Sequence, residues 1–190
     1  MDEAQILAGG FAAPAEQAAR AFRACLEAMA RPGQPQDIGG AAPPAPLSEA
    51  AGAVLLTLVD VSTGLYVAPS HDTPALRQWI AFHCGAPIVG AAEADFALGS
   101  WEALQPVSRF AIGTPEYPDR SATLIVEMPA PVAPNARLRG PGIQSVAQAR
   151  LPDLAAFQAN AANFPLGFDC YFTHDRALVG LPRSTRVEAL

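Results

Sequence analysis

Arginine and hydroxyl side chains follow one strand near the end of the chain. Residues 183–186 read Arg-Ser-Thr-Arg, and they come directly after a predicted buried strand, residues 177–181, that stops at Pro182. Guanidinium groups and hydroxyls at a strand end can bind a phosphate, another anion or the carboxylate of a partner. The same pattern is also typical of a solvated tail after a β-hairpin. The sequence therefore predicts either an anion or interface site that includes Arg183 and Thr185, or an exposed tail.

Further candidate residues lie elsewhere in the chain. Arg137 and Arg139 alternate along a predicted strand, so both point to one face, which is either an exposed edge or an anion site. Asp169 enters the strand that precedes residues 177–181. His83 closes a predicted helix, where the helix dipole favours imidazolium, although a histidine there can also satisfy helix-end carbonyls. Arg23 lies on a polar helix face that is either solvated or part of an interface.

The composition excludes several classes of function. A net charge of −6 argues against nucleic-acid binding, which requires a concentrated basic face. All 12 basic residues are arginines, so neither a lysine Schiff base with pyridoxal phosphate nor a P-loop lysine is available. The three cysteines and three histidines show no spacing typical of a disulfide framework or a metal site. We therefore expect no cofactor and no metal, and anion recognition or a protein interface rather than self-contained catalysis.

The location of the protein is also predicted from its sequence. The first residues are acidic and lack the apolar run of a signal peptide. No stretch approaches the roughly 20 apolar residues of a membrane helix. We expect a cytoplasmic protein that does not enter a membrane.

Hydrophobic patterns define the elements that must position these side chains. Helices are predicted over residues 14–31, 73–84 and 152–162, each with an apolar stripe. The apolar run 53–59 predicts a buried strand that forms a central hairpin with residues 65–68. The other predicted strands are residues 87–89, 94–98, 121–128, 169–173 and 177–181, and residues 136–143 are predicted to be a strand that runs into a glycine turn. Together these elements predict a single domain, residues 1–190, of the α/β class, with a three-layer mixed sheet flanked by helices.

Seven collinear segments resemble one known family. They are FRACLEAMARPG (22–33), AVLLTLVD (53–60), RQWIAFHCGAPIV (77–89), SATLIV (121–126), LRGPGI (138–143), FPLGFD (164–169) and LPRSTRVE (181–188). In this order they are similar to the PhnH family, a component of the bacterial carbon–phosphorus lyase system for phosphonate use. Arg186 stands where the family often has histidine, which adds a permanent charge.

The resemblance carries expectations of its own. It implies a subunit of the carbon–phosphorus lyase core complex that works with subunits G, I, J and L and is a homodimer in isolation. The complex forms alpha-D-ribose 1-methylphosphonate 5-triphosphate from a nucleoside triphosphate and an alkylphosphonate, with loss of adenine. The resemblance also implies a fold similar to that of pyridoxal-phosphate transferases, without the cofactor.

Three hypotheses follow. The first is an accessory subunit of a transferase complex, in which Arg23, His83, Arg137, Arg139, Asp169, Arg183 and Thr185 contact a partner or a ligand. The second is a stand-alone homodimer that binds a phosphate, phosphonate or nucleotide through Arg137, Arg139 and Arg183. The third, an independent enzyme with a pyridoxal-like fold, has little support because the chain has no lysine.

Overall fold

A mixed six-stranded sheet lies at the centre of the protein, in a computed structural model that describes residues 8–130 and 132–190. The strands are β1 (Gln36–Asp37), β2 (Leu65–Val67), β3 (Phe96–Ser100), β4 (Thr123–Glu127), β5 (Ala136–Arg139), β6 (Ala147–Ala149), β7 (Asp169–His174), β8 (Ala177–Leu181) and β9 (Arg186–Ala189). The helices are α1 (Pro14–Ala30), α2 (Glu49–Leu58), α3 (Pro74–His83) and α4 (Leu154–Ala162). Single 3₁₀ turns cover Ala91–Glu93 and Val107–Arg109.

The order of strands in the central sheet is β1-β8-β7-β4-β3-β2. Strands β2, β3, β4 and β7 run parallel, and β8 and β1 extend the sheet in antiparallel pairing. The middle residues of β3 and β4 are buried on both faces, as expected for parallel strands covered by other layers. The predicted strand 121–128 and the hairpin of residues 169–181 are confirmed. The hairpin turns at Asp175, which has a positive φ of 48°.

The predicted strand 53–59 is wrong, and with it the central hairpin, because this segment is helix α2. Ser48 begins the helix: its side chain accepts a hydrogen bond from the amide of Ala51 at 3.1 Å. Residues Ala50 to Leu55 are all buried, so the helix is apolar on every side. A short apolar run cannot distinguish such a helix from a buried strand by its periodicity. Strand β2 instead pairs with β3 at the edge of the sheet.

The other three helices are confirmed within a few residues. Pro14 and Pro74 occupy the first turns of α1 and α3, where a missing amide proton costs nothing. Thr73 caps α3 by accepting a hydrogen bond from the amide of Leu76. Asp153 caps α4 in the same way, by accepting a hydrogen bond from the amide of Ala156. The predicted strand 87–89 is reduced to one bridge between Ile88 and Leu65.

Two apolar cores lie on opposite faces of the sheet, so the protein has three layers. One core joins α1, α2 and α3 to the sheet through residues such as Leu55, Leu98 and Tyr171. The other joins α4 and a second small sheet to the opposite face through residues such as Phe157 and Leu138. The predicted α/β class with a mixed sheet flanked by helices is confirmed.

The second sheet has three antiparallel strands in the order β6-β5-β9. The predicted tail after Pro182 is wrong in part, because residues 186–189 form strand β9 against β5. Val187 supplies the reason: its side chain is buried in the second core while its neighbours point outward. No helix within the described residues is long and apolar enough to cross a membrane.

Candidate functional site

Arg183 and Asp169 form an ion pair between the end of β8 and the start of β7. Arg183 Nε and Nη2 donate to the two oxygens of Asp169 at 3.1 and 2.6 Å. Nη1 donates to the carbonyl of Pro118 at 2.6 Å, and Nη2 also donates to Ser121 Oγ at 2.5 Å. This guanidinium therefore fastens the 113–121 segment to β7, and a ligand would have to displace these contacts.

Thr185 lies beside this ion pair in the chain but in the interior. Its side chain is 2% exposed, and its Oγ1 forms no hydrogen bond with any described residue. The backbone of Thr185 closes a turn by donating to the carbonyl of Pro182 at 2.9 Å. Of the seven candidate residues, the structure thus brings Asp169 and Arg183 into contact and buries Thr185 close by.

Arg137 and Arg139 lie on the outer face of the second sheet, as their alternation predicts. Both side chains are exposed, whereas Ala136 and Leu138 are buried. Arg186 of β9 lies directly opposite Arg139, and Glu188 lies opposite Arg137. We call Arg137, Arg139 and Arg186 the arginine face. Its counter-charge within this face is Glu188, whose Oε1 is 3.9 Å from Arg139 Nε.

Arg23 and His83 lie on the helical layer, away from the arginine face. Arg23 is exposed on α1. His83 closes α3, and its Nε2 lies 3.2 Å from the carbonyl of Ala8. Its ring also packs against Trp79 and Phe82, with centroids 5.1 and 4.8 Å apart. Among the described residues, these two form no direct contact with the other five candidates through a hydrogen bond or ion pair.

A cleft opens where the parallel strands of the central sheet end. Ligands of open α/β sheets bind outside the carboxyl ends of the strands. Here the ends of β3 and β4 contribute Ser100 and Glu127, the end of β7 contributes His174, and the loop after β2 contributes His71. The cavity has a volume of about 630 Å³. We call it the carboxyl-end cleft; its other lining residues are Ala45, Pro46, Leu47, Ser48, Glu102, Met128, Pro129 and Asp175.

His71 is the most buried polar residue that lines this cleft. Its side chain is 5% exposed, and burial lowers the pKa of the imidazole. Its Nδ1 lies 2.9 Å from Ser70 Oγ, and that oxygen accepts a hydrogen bond from the amide of Ser100 at 3.0 Å. No described residue forms a hydrogen bond with His71 Nε2.

Glu127 and His174 are held at the ends of adjacent strands. Glu127 Oε1 accepts a hydrogen bond from the amide of Ser48 at 2.7 Å. Burial nevertheless raises the pKa of this carboxyl, against the smaller lowering effects of Ser48, Thr173 and His174. His174 Nδ1 lies 3.2 Å from the carbonyl of Met128, and its Nε2 lies 3.4 Å from Asp175 Oδ2. The cleft thus combines two imidazoles with carboxylates that can accept hydrogen bonds.

The sequence offered only a weak signal for these cleft residues. Glu127 ends the predicted strand 121–128, and His174 stands in the predicted hairpin turn. Polar residues that end several parallel strands meet at one edge of a sheet. A strand at residues 53–59 would give a different order of strands, so the meeting of these strand ends does not follow from the sequence pattern. The described residues contain no group of three or more histidine, cysteine or acidic side chains that could hold a metal ion.

The fold and its cleft define an α/β protein with a ligand-type cavity at the carboxyl edge of a mixed sheet. Comparison with known proteins identifies the family, which the fold and the cleft alone do not. A family model described as bacterial phosphonate metabolism protein (PhnH) matches residues 9–188. A protein of Rhizobium meliloti (strain 1021), described as alpha-D-ribose 1-methylphosphonate 5-triphosphate synthase subunit PhnH, is 42% identical over 98% of each chain. The chain belongs to the PhnH family, which confirms the resemblance found in its sequence.

Proposed function

We propose that this protein is a subunit of an alpha-D-ribose 1-methylphosphonate 5-triphosphate synthase and takes part in phosphonate catabolism. The observation that carries this proposal is the 42% identity to a subunit of that synthase over 98% of both chains. The near-complete coverage supports a similar role for the whole chain, residues 1–190, as one domain. The proposed location of the protein is the cytoplasm.

The proposal includes the finer expectations drawn from the resemblance. The partners are subunits G, I, J and L of the carbon–phosphorus lyase system, and the isolated chain is a homodimer. The role is that of an accessory subunit of a transferase complex. The fold is proposed to be related to that of pyridoxal-phosphate transferases, and the missing lysine is consistent with a form of that fold that does not bind the cofactor.

The arginine face is the proposed contact with an acidic surface of a partner subunit. The chain as a whole is negative, with a net charge of −6, yet this face carries three arginines around one glutamate. Like charges placed directly opposite on neighbouring strands, such as Arg139 and Arg186, destabilise a sheet. A carboxylate-rich partner would relieve that repulsion and would be steered toward the face by the opposite charge.

Co-expression of the tagged chain with subunits G, I, J and L tests the proposed role as a subunit and the proposed contact of the arginine face. We expect native mass determination to show a stoichiometric assembly that contains the wild-type chain. We expect the double variant Arg137→Glu/Arg139→Glu to be absent from that assembly. The control is Arg120→Glu, an exposed arginine of the 113–120 turn, which should assemble normally. A wild-type chain that purifies without partners would contradict the function, whereas assembly of the double variant would contradict only the role of the arginine face.

The alternative is a stand-alone homodimer that binds a phosphate, phosphonate or nucleotide. The pairing of Arg139 with Arg186 favours it, because an oxyanion between two guanidinium groups would also relieve their repulsion. Calorimetry of the isolated chain with methylphosphonate and with ATP decides this point. Saturable binding that Arg139→Ala removes would support the alternative.

A further inference from the structure

We propose that the carboxyl-end cleft is a binding site for an uncharged, amino-substituted nitrogen heterocycle. The inference depends on the cleft alone and holds whether or not the chain joins a larger assembly. It also assigns a ligand to residues outside the arginine face. The position of the cleft, beyond the carboxyl ends of three parallel strands, is where open α/β sheets bind small molecules.

His71 supplies a positioned hydrogen-bond donor. Ser70 Oγ already accepts the amide proton of Ser100, so its hydroxyl proton is available to His71 Nδ1. When His71 Nδ1 accepts that hydroxyl proton, the proton of the neutral imidazole is on Nε2, which is the tautomer that the proposal uses. The residue is buried and lines the cleft, and no described residue forms a hydrogen bond with its Nε2. A ring nitrogen of the ligand is a suitable acceptor for this proton.

Carboxylates supply the matching acceptors. Glu127 is held over the cleft by the amide of Ser48, and Glu102 and Asp175 stand at its rim. None of the arginines in the described residues lines the cleft. A phosphate, phosphonate or triphosphate group would meet negative charge here without a cationic partner, which is unfavourable. An amino group, in contrast, can donate to a carboxylate.

The remaining walls suit a flat ring. Leu47, Pro46, Met128 and Pro129 contribute apolar surface beside the polar groups. Small-molecule sites combine mostly apolar walls with a few convergent polar groups, and they have volumes of roughly 300–1,000 Å³. The cleft, at about 630 Å³, falls within that range. One donor and several acceptors that line a single cleft with apolar walls suit a heterocycle that carries both a ring nitrogen and an amino group.

The three histidines of the chain make a direct test possible. His71 and His174 line the carboxyl-end cleft, whereas His83 lies at the end of α3 and serves as an internal control. The full-length protein, labelled with ¹³C-histidine, is titrated with adenine as the probe heterocycle. Each ring signal is assigned by replacing one histidine at a time with glutamine. We expect saturable shifts of the His71 and His174 signals and a constant His83 signal.

Two results of the titration would overturn the inference. One is a set of three unchanged signals up to the solubility limit of adenine. The other is an equal response of the His71 and His174 signals to tripolyphosphate or methylphosphonate, which would make the cleft an anion site. Both readouts are made on the wild-type chain, and the glutamine variants serve only to assign its three signals.

Two matched variants then connect binding to Glu127. Glu127→Gln replaces the charged acceptor while keeping the shape of the side chain, and we expect adenine to bind about tenfold more weakly. Glu116→Gln, in the exposed 113–120 turn, removes the same charge far from the cleft and should bind as the wild type does. If both variants bind adenine with the affinity of the wild type, Glu127 does not accept a hydrogen bond from the ligand, and the proposed pairing of ligand amino group and carboxylate is contradicted.

Discussion

At the scale of single residues, Arg183 shows how an arginine after a strand can be engaged within the protein itself. Its sequence context indicated a ligand or interface contact, and the structure surrounds its guanidinium with Asp169, Pro118 and Ser121. An arginine after a strand can bind an external anion or an internal carboxylate, and the sequence does not distinguish the two. The distinction depends on Asp169, which lies beside it only because β7 and β8 pair.

The ion pair of Arg183 and Asp169 should therefore be important for stability. The two side chains are 13% and 25% exposed, so either partner left alone is a poorly solvated charge. Arg183→Met should lower the free energy of unfolding by about 3–5 kcal/mol, the usual cost of breaking a buried pair. Arg139→Ala, at an exposed arginine, should cost less than about 1 kcal/mol. Urea unfolding of both variants measures the difference, and equal values would contradict a structural role for Arg183.

Glu127 should make the protein less stable at neutral pH than at acid pH. Its folded-state pKa is raised, so the folded protein binds this proton more tightly than the unfolded chain does. The associated stability is complete below the ordinary pKa of about 4.5 and is lost as the pH rises through the folded-state value. Glu127→Gln should therefore be more stable than the wild type at pH 7, and the difference should vanish below pH 4.5.

Thermal unfolding across this pH range measures that effect. Glu116→Gln, which removes an exposed carboxylate, controls for the loss of one charge. A difference between Glu127→Gln and the wild type that does not change with pH would contradict the burial of the charge.

The three cysteines should be unreactive in the folded protein. All are buried as free thiols, and burial raises the pKa of Cys25 and Cys84 to about 12 each and that of Cys170 strongly. The thiolate is the nucleophile, so little is available at pH 8. Iodoacetamide should label none of the cysteines in the native chain and all three in urea, as counted by mass spectrometry. Rapid labelling of the native chain would contradict this arrangement.

At the scale of elements, periodicity predicted the amphipathic helices and the sheet hairpin but not α2. Helix α1 has one buried face, and its 3.6-residue pattern is visible in the sequence. Helix α2 is buried all round, so it carries no such pattern. The signal that could have identified it is its cap, Ser48 followed by Glu49, rather than its apolar residues.

Helix α1 lies directly on strand β8, and Gly180 makes this approach possible. A Cβ atom at Gly180 would lie 2.5 Å from the carbonyl carbon and oxygen of Ala28. These are backbone atoms, which cannot move away as the end of a flexible side chain can. Gly180→Ala should therefore lower the free energy of unfolding by about 1–3 kcal/mol, as overpacking does. At Gly90 the same methyl group would meet nothing within 4 Å. Gly90→Ala should be close to neutral in the same urea unfolding measurement, and a similar loss in both variants would contradict the close contact.

At the scale of the whole molecule, the second sheet closes the layer opposite to α1, α2 and α3. Strand β9 contributes Val187 to the core and pairs along its length with β5. A chain that stops at Leu181 lacks β9 and the Arg183–Asp169 ion pair. We expect this chain not to fold into a soluble protein. A chain that lacks Leu190, which is exposed, should fold normally. Circular dichroism and gel filtration compare the two, and a folded chain without residues 182–190 would contradict this role of β9.

The sequence predicted the α/β class, most of the elements and the family, because these depend on local patterns and on motifs. The carboxyl-end cleft depends on the order of strands in space. Ser100, Glu127 and His174 are up to 74 positions apart (174 − 100), and they meet because β7 inserts beside β4. The arginine face could be predicted because Arg137 and Arg139 share one strand.

The position of β7 also has a consequence for biosynthesis. This strand lies between β4 and β8 in the sheet, yet residues 128–168 separate it from β4 in the chain. While a ribosome makes those residues, the free edge of β4 carries unpaired amide and carbonyl groups beside the apolar side chains of Leu124 and Val126. Exposed edges of this kind pair readily with other chains. The nascent protein should therefore depend most on chaperone protection between the emergence of β4 and that of β7.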